Sequence, residues 1–390
     1  MRIAGLFAGI GGLERGLAEA GHEARAFAEV WAPAAAVLAR RFADVPNLGD
    51  VREVAALPAH DLLTAGFPCQ DLSQAGRTAG IGGAKSGLVD HVFRLTDAGR
   101  PAHVLLENVS FMLSLDRGAA MARLVAAFEE RGYRWAYRIV DTQAFLPQRR
   151  RRVFFLASRS LDPAEVLFAD AVEPPAERPG DLAGRAHGFY WTEGIRGLGW
   201  GIDCIPTLKN GSTIGIPSPP AILRPDGTVV TPDIRDAERL QGFPADWTAP
   251  ATATSPAARL RWTLVGNAVS VPVAAWIGAR LERPGAHDAT RDRPFDGDGR
   301  WPPAARSIGT GAAVRRVAVE ISQWPGHHPR APLDAFLEHP GKPLSLRATS
   351  GFLERLGRTR LRLPPGFADR IADHLARMRG LAEAPAAAAE

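Results

Sequence analysis

Lysine and cysteine are both scarce in this chain of 390 residues. Only Lys85, Lys209 and Lys342 are lysines among 47 basic residues, so arginine carries almost all of the positive charge. Cys69 and Cys204 are too few and too far apart for a disulfide framework or a zinc cage. We therefore expect no metal and no disulfide, and either cysteine would act as a free thiol.

Long apolar runs are also missing. No stretch approaches the roughly 18 apolar residues of a membrane helix, and no basic segment followed by an apolar one opens the chain. These features predict a soluble cytoplasmic protein with no membrane partner. The net charge of +5 and the arginine bias favour a polyanionic partner, although a general bias toward Ala, Gly, Pro and Arg explains them equally well.

Strand-like and helix-like segments alternate over the first 160 residues. Strands are predicted at 2–7, 23–30, 61–65, 104–107 and 153–157, with helices at 13–20, 33–42 and 121–131 between them. This alternation is typical of an α/β protein with a parallel sheet. Open sheets of this class bind ligands just past the carboxyl ends of their strands.

The rest of the chain is less regular. Residues 161–250 predict a smaller, loop-rich domain, and helices at 257–261 and 273–283 follow it. Residues 284–303 are polar and rich in Pro, Gly and Asp, which is typical of a linker. We expect residues 304–390 to form a C-terminal accessory domain, with a strand at 314–321 and a helix at 367–378, and a chain truncated before Ala304 to fold.

A glycine-rich turn at residues 8–12 follows the first strand and precedes a helix. Glycines at such a turn let a ligand approach the backbone and the amides of the helix. Glu29 ends the second strand, where a carboxylate can accept ribose hydroxyls, and Asp50 lies near the expected end of a third. Each acid alone is more typical of a solvated surface, but the ordered set favours an adenosine-containing cofactor.

Two further strand ends carry reactive groups. Cys69 follows the apolar strand at 61–65 on a loop at the functional edge, which favours a nucleophile over the usual buried thiol. Glu107 ends the next apolar strand and is either a helix cap or a proton donor with a raised pKa. Beside Cys69 we favour the donor. Arg150 and Arg152 enter a later strand on one face, where a phosphate or a base carbonyl is the natural target.

Six motifs in this order resemble those of bacterial DNA (cytosine-5)-methyltransferases that use S-adenosylmethionine. The motifs are Leu-Phe-Ala-Gly-Ile-Gly-Gly at 6–12, the Pro-Cys loop at 66–73, Glu-Asn-Val at 107–109, Gln-x-Arg-x-Arg at 148–152, Arg-Leu-Gln-Gly-Phe-Pro at 239–244 and Gly-Asn-Ala-Val at 266–269. The resemblance covers roughly residues 1–282. It implies a doubly wound Rossmann-like sheet in residues 1–160, a target-recognition domain at 161–250, and helices at 251–283 that return to the catalytic domain.

The resemblance also implies roles for individual residues. Cys69 would add to cytosine C6, Glu107 would protonate N3, Arg152 would contact the base carbonyl and Arg150 a phosphate. The residues implied to bind the cofactor are Phe7, Gly9, Ile10, Gly11, Gly12, Glu29, Asp50, Val51, Pro68 and Asn267. Those implied to contact DNA are Gln70, Ser73 and Gln148.

The implied partners are double-stranded DNA, S-adenosylmethionine with S-adenosylhomocysteine as product, and a cognate restriction endonuclease that forms no stable complex. The implied location is the bacterial cytoplasm, at the nucleoid. Gly5 departs from the family, which often has Asp there, and Trp31 and Ala32 replace a frequent Asp-Pro. An RNA cytosine-5 methyltransferase, a DNA-binding regulator or inactive pseudo-enzyme, and a nicotinamide enzyme remain as alternatives.

Overall fold

The computed structural model of the chain describes residues 1–67, 87–176, 182–209, 219–254, 258–297 and 299–383. The strands are β1 (Arg2–Leu6), β2 (Glu23–Ala28), β3 (Leu62–Ala65), β4 (His103–Val109), β5 (Arg134–Asp141), β6 (Gln148–Arg149), β7 (Arg151–Ser158), β8 (His187–Phe189), β9 (Gly201–Ile202), β10 (Ile205–Pro206), β11 (Ala221–Leu223), β12 (Val229–Thr231), β13 (Asp292–Pro294), β14 (Ala304–Ile308), β15 (Arg315–Val319) and β16 (Lys342–Pro343). The helices are α1 (Gly12–Ala18), α2 (Ala32–Arg41), α3 (Leu88–Gly99), α4 (Ala119–Glu130), α5 (Ala164–Leu167), α6 (Ile234–Arg239), α7 (Ala258–Asn267), α8 (Val271–Glu282), α9 (Leu333–Phe336), α10 (Leu346–Gly357) and α11 (Phe367–Glu383).

A large sheet forms the centre of the fold. Within the described ranges it has nine strands in the order β13-β15-β14-β5-β7-β4-β3-β1-β2. β2, β1, β3 and β4 are parallel, whereas β7 runs antiparallel to both of its neighbours, β4 and β5. The predicted α/β class is confirmed, but the expected all-parallel arrangement ends at β4.

The central strands are buried on both faces. Val104 and Leu106 of β4 pack into the core on one side of the sheet, and Leu105 packs on the other. Parallel strands covered by helices on both sides read as continuous apolar runs, which explains why β3 and β4 were predictable. β5 was not predicted, because Arg138 interrupts its apolar pattern. The Arg138 side chain is nevertheless buried and donates to the carbonyl oxygens of Leu167, Asp170 and Ser322.

The C-terminal segment differs from the expected linker and separate accessory domain. β14 pairs with β5, with Ala305 opposite Tyr137, and β13 and β15 extend the same sheet. Trp301 lies within the expected linker, yet it is 2% exposed and packs against Trp135 and Tyr137 of β5. The strands β13, β14 and β15 are therefore part of the large sheet.

The smaller sheet has the order β16-β12-β11-β8-β9 among the described strands. Its core includes Phe189 of β8 and is completed by residues that follow the large sheet in the chain: Phe352 of α10, and Phe367 and Ile371 of α11. The rings of Phe189 and Phe352 stack with centroids 5.0 Å apart. The end of the chain thus supplies much of the core of the small sheet.

One segment, Arg259–Glu282, is long and apolar enough by composition to cross a membrane. It covers most of α7 and all of α8, and 67% of its most apolar window is buried inside the protein. Core helices of globular proteins pass the same test.

We predict that a chain truncated before Ala304 will be insoluble or unfolded, contrary to the expectation from sequence. The truncation removes the β14 partner of β5, and it removes Phe352 and Phe367 from the core of the small sheet. An unpaired edge and an exposed apolar face both favour aggregation. Solubility and thermal unfolding would be compared with those of a chain ending at Glu383, which keeps every described element. A soluble truncated chain with a cooperative unfolding transition would contradict this assignment.

Candidate active site

A cavity of about 520 Å³ opens at the carboxyl ends of β1, β3 and β4. Its lining comes from the segments after β1 and β2, the ends of β3 and β4, two arginines at the start of β7, and the end of α7 with its connection to α8. The lining residues that the sequence had singled out are Phe7, Gly9, Ile10, Gly12, Glu29, Glu107, Arg150, Arg152 and Asn267. Candidate cofactor-binding and candidate catalytic residues therefore line one cavity.

The glycine-rich turn has a backbone that favours glycine. Gly9 and Gly11 adopt φ values of 57° and 79°, in the left-handed region. A Cβ atom at Gly12 would lie 2.8 Å from the carbonyl oxygen of Val269, so the turn touches the chain just before α8. A Cβ at Gly9 would meet nothing within 4 Å, which leaves the backbone open on that side.

Glu29 binds the backbone of the glycine-rich turn. Its Oε2 accepts a hydrogen bond of 2.8 Å from the backbone N–H of Gly9, and its Oε1 accepts one of 2.8 Å from that of Trp31. Each carboxylate oxygen has a second lone pair, so Glu29 keeps acceptor capacity toward the cavity.

Asp50, Val51 and Gly11 are not among the residues that line the cavity, contrary to the expected contacts with a cofactor. Arg52 forms an ion pair with Asp50 and lowers the pKa of its carboxyl to about 2. Val51 is buried in the hydrophobic core instead. Gly11 faces Phe42, which a Cβ at this position would approach to 2.5 Å.

Glu107 and Arg152 form an ion pair inside the cavity. The Nε atom of Arg152 lies 3.3 Å from Oε1 of Glu107, without hydrogen-bond geometry, and Glu107 is 8% exposed. Burial raises the pKa of the Glu107 carboxyl, and the positive charges of Arg152 and Arg150 oppose that shift only in part. The next residue, Asn108, donates a hydrogen bond of 2.9 Å to the carbonyl oxygen of Phe67, which joins the ends of β3 and β4.

Arg150 is buried, and backbone oxygens bind its guanidinium group. It donates to the carbonyl oxygens of Leu208 at 3.3 Å, Gly266 at 3.2 Å and Ala268 at 2.7 Å. Burial lowers its pKa to about 9, so the group stays protonated at neutral pH. Arg150 thus ties the chain after β10 to the connection between α7 and α8.

Gln148 is in the core, contrary to the expectation that it contacts DNA. It is fully buried, and its Nε2 donates to the carbonyl oxygen of Leu240 at 2.7 Å and to Oε1 of Gln241 at 3.0 Å. Its Oε1 accepts a hydrogen bond of 3.0 Å from the backbone N–H of Leu208. Gln148 and Gln241, which belong to two of the six motifs, therefore join separate segments of the chain.

Pro68, Cys69, Gln70 and Ser73 lie outside the described residues. Cys204, the other cysteine, is buried, which raises the pKa of its thiol to about 12 and makes it a poor nucleophile. Among the described residues no group of three or more His, Cys, Asp or Glu side chains could hold a metal ion.

Sequence reasoning gave no role to several residues of the cavity. Glu14 of α1 is the charged one, and Asn108, Val109, Phe67 and Leu88 are others. One signal in the sequence could have pointed to Glu14: it is an acidic residue in the short apolar helix that follows the glycine-rich turn. Burial of Glu14 follows from the packing of α1 on the sheet, which no local pattern reports.

Comparison with known proteins agrees with this geometry. The family model for C-5 cytosine-specific DNA methylase matches residues 1–178. The type II methyltransferase M2.BsuMI of Bacillus subtilis is 46% identical over 372 residues, which are 92% of this chain and 94% of that protein. The chain belongs to the C-5 cytosine-specific DNA methylases. The resemblance inferred from the six motifs is thereby confirmed, and the chain is a DNA (cytosine-5)-methyltransferase.

More distant relatives agree with this assignment. The type II methyltransferase M.DsaV of Dactylococcopsis salina is 28% identical over 72% of this chain and 86% of its own length. Among solved structures, the Dnmt2 methyltransferase of S. pombe superposes with a TM-score of 0.52 at 15% identity, over 72% of this chain and 98% of its own. That likeness concerns the fold alone and supports the Rossmann-like sheet.

We predict that Gln148→Ala will destabilise the methyltransferase by about 1–3 kcal/mol, because it leaves buried backbone and side-chain groups unpaired. Chemical denaturation of the purified protein would measure the loss. Gln143→Ala, at a half-buried glutamine five residues earlier, is the matched control and should change the free energy of unfolding little. Unchanged stability of Gln148→Ala together with weakened DNA binding would support the original assignment to DNA instead.

Proposed function

We propose that this methyltransferase acts on cytosine in double-stranded DNA as part of a type II restriction-modification system, uses S-adenosylmethionine, and works through a transient bond between Cys69 and cytosine C6. The observation that carries the proposal is the single cavity, which joins a glycine-rich turn to the buried Glu107 and Arg152. A cofactor and a base that occupy one cavity can meet directly, as a transfer between them requires.

The cavity fits an adenosine-containing methyl donor. The open backbone at Gly9, the anchored carboxylate of Glu29, and Asn267 beside the turn supply close approach and polar partners. When bound, S-adenosylmethionine supplies an electrophilic methyl group. Phe7, Gly9, Ile10, Gly12, Glu29 and Asn267 would hold it, whereas Asp50 and Val51 would act only through the packing around them.

The chain's own residues must make C5 of cytosine a nucleophile. Addition of the Cys69 thiolate to C6 pushes electrons toward N3, and a proton from Glu107 neutralises the charge that builds there. C5 then carries the electron density of an enamine. Once C5 is methylated, removal of its proton by a base expels the Cys69 thiolate and restores the aromatic ring.

Burial of Glu107 implies that the cytosine leaves the helix stack. Glu107 lies at the end of β4, lines the cavity and is 8% exposed. A stacked and paired base cannot bring N3 to such a group, because N3 is hydrogen-bonded in the base pair. We infer that the target cytosine is flipped into the cavity, as enzymes that modify bases require.

The contacts of Arg150 favour a positioning role over phosphate binding. Carbonyl oxygens of Leu208, Gly266 and Ala268 already bind its guanidinium group, and the side chain is buried. Arg152 is the arginine that pairs with Glu107, and it remains the candidate for binding the base carbonyl.

We also propose that the enzyme works in the bacterial cytoplasm at the nucleoid, beside a cognate endonuclease that it does not bind stably.

We predict that Glu107→Gln will slow methylation of duplex DNA about 10²- to 10⁴-fold, because the amide keeps the shape but cannot donate a proton to N3. Single-turnover rates would be measured over a series of pH values that begins near the ordinary pKa of a glutamic acid and extends upward. In the wild type the rate should fall as the pH rises through the raised pKa of Glu107, since only the protonated acid is active. In Glu107→Gln this fall in the rate with rising pH should be absent.

The control is Glu130→Gln at the exposed end of α4, which should keep the wild-type rate. Binding of S-adenosylhomocysteine should be nearly the same in all three proteins. If Glu107→Gln instead lost this affinity and kept its rate at saturation, Glu107 would belong to the cofactor and not to the base.

We predict that duplex DNA with 5-fluorocytosine in place of cytosine will trap the enzyme. Fluorine cannot leave C5 as a cation, so the bond from Cys69 to C6 persists after methylation. Denaturing electrophoresis should show a protein–DNA complex that forms only with S-adenosylmethionine present.

Cys69→Ala should abolish the complex, while Cys204→Ala should keep it, because the buried Cys204 has a thiol pKa raised to about 12. Methylation by Cys69→Ala at a rate comparable to that of the wild type, or loss of the complex in Cys204→Ala alone, would refute the mechanism.

The same measurements on transfer RNA test the RNA alternative, which requires a higher rate on RNA than on duplex DNA.

A further inference from the structure

Glu14 is a buried carboxylic acid to which the mechanism above gives no role. It lies on α1, is 2% exposed and lines the cavity directly after the glycine-rich turn. The hydroxyl of Thr64 on β3 donates a hydrogen bond of 2.6 Å to its Oε1. Its Oε2 is buried and has no hydrogen-bond partner within the described part of the chain. Thr64 therefore satisfies one oxygen of this carboxyl group, and the described residues leave the other without a partner.

The fold makes specific room for this carboxyl group. Gly5 of β1 pairs with Thr64 of β3, and a Cβ atom at Gly5 would clash with Oε1 of Glu14. Glu14 therefore occupies the space above β1 that any side chain at position 5 would need. The family often has an aspartate at position 5. In this chain position 5 is glycine, and the carboxyl group of Glu14, from the next helix, occupies the space beside it.

An unpaired buried carboxyl group is costly unless it is protonated or meets a cation. Among the described residues no Arg, Lys or His forms an ion pair with Glu14. Burial raises the pKa of its carboxyl, and the hydrogen bond from Thr64 offsets part of that shift. The simplest structural role would be a protonated acid that only bonds to Thr64, but this leaves the buried Oε2 unpaired beside an open cavity.

We propose that Glu14 binds the ammonium group of the amino-acid part of S-adenosylmethionine. This inference rests on the proposed use of that methyl donor. The ammonium group is the part of the donor that combines a positive charge with N–H donors, whereas the sulfonium has no N–H to give and the ribose hydroxyls are neutral. The cavity has two other acids, Glu29 and Glu107. Glu107 pairs with Arg152, and each oxygen of Glu29 accepts a hydrogen bond from a backbone N–H, whereas Oε2 of Glu14 has no partner among the described residues. Glu14 is a cofactor-binding residue in this assignment and takes no part in the chemistry at cytosine.

The test is calorimetric binding of two ligands to the full chain. One ligand is S-adenosylhomocysteine, which has the ammonium group but no sulfonium, and the other is the same molecule with hydrogen in place of its α-amino group. The wild type should bind the first ligand about 10- to 100-fold more tightly than the second, as a charge-assisted hydrogen bond in a buried site allows. In Glu14→Gln this preference should shrink to about threefold or less, chiefly through weaker binding of the ammonium-bearing ligand.

Glu19→Gln is the matched control, because it removes the same charge from an exposed acid at the end of α1. It should keep the wild-type preference. Equal weakening of both ligands by Glu14→Gln would show a purely structural role and overturn the inference. Equal affinity of the wild type for both ligands would overturn it without any variant, so the result does not depend on the folding of Glu14→Gln. A wild type that binds neither ligand would refute the proposed use of S-adenosylmethionine itself.

Discussion

The cavity depends on the close packing of α1 against the start of α8. Gly12 and Gly16 lie one helical turn apart on α1, and a Cβ at either position would clash with the backbone oxygen of Val269 or of Val271. Because these glycines have no side chains, the two helices approach until backbone meets backbone. This contact holds Asn267 and its neighbours against the glycine-rich turn, and the first and last parts of the catalytic half therefore line one cavity.

Buried polar side chains strengthen the same arrangement. Arg150 and Gln148 reach from the segment before β7 to the chain after β10 and to the segments around α7. Gln241 continues this network, because its Nε2 donates to the carbonyl oxygen of Val265 at 2.9 Å. A buried amide or guanidinium that loses a partner is expensive, so such groups specify one arrangement of the loops. Several motif residues therefore join separate segments of the chain around the cavity.

The end of the chain connects the two sheets. β13, β14 and β15 extend the large sheet beyond β5, and α10 and α11 then complete the core of the small sheet. A segment that pairs with one sheet and packs into the other links their stabilities. Composition could not reveal this structural role, since the Pro, Gly and Asp content of residues 284–303 is typical of a linker.

The sequence by itself determined the family, the α/β class, the positions of strands β1 to β4 along the chain, and the candidates Glu29, Glu107 and Arg152. These features depend on short local patterns: apolar runs of buried strands, glycines at a turn and acids at strand ends. Only the tertiary structure decided that Gln148 is buried in the core and that Asp50 pairs with Arg52. It also decided that Arg150 binds carbonyl oxygens and that the C-terminal strands join the large sheet. It alone brought Glu14 over Gly5, because burial and partners at that site come from segments that meet only when α1 packs on β1 and β3. Hydrogen bonds between distant segments leave no periodic pattern in the sequence, so their partners can be identified only from the folded structure.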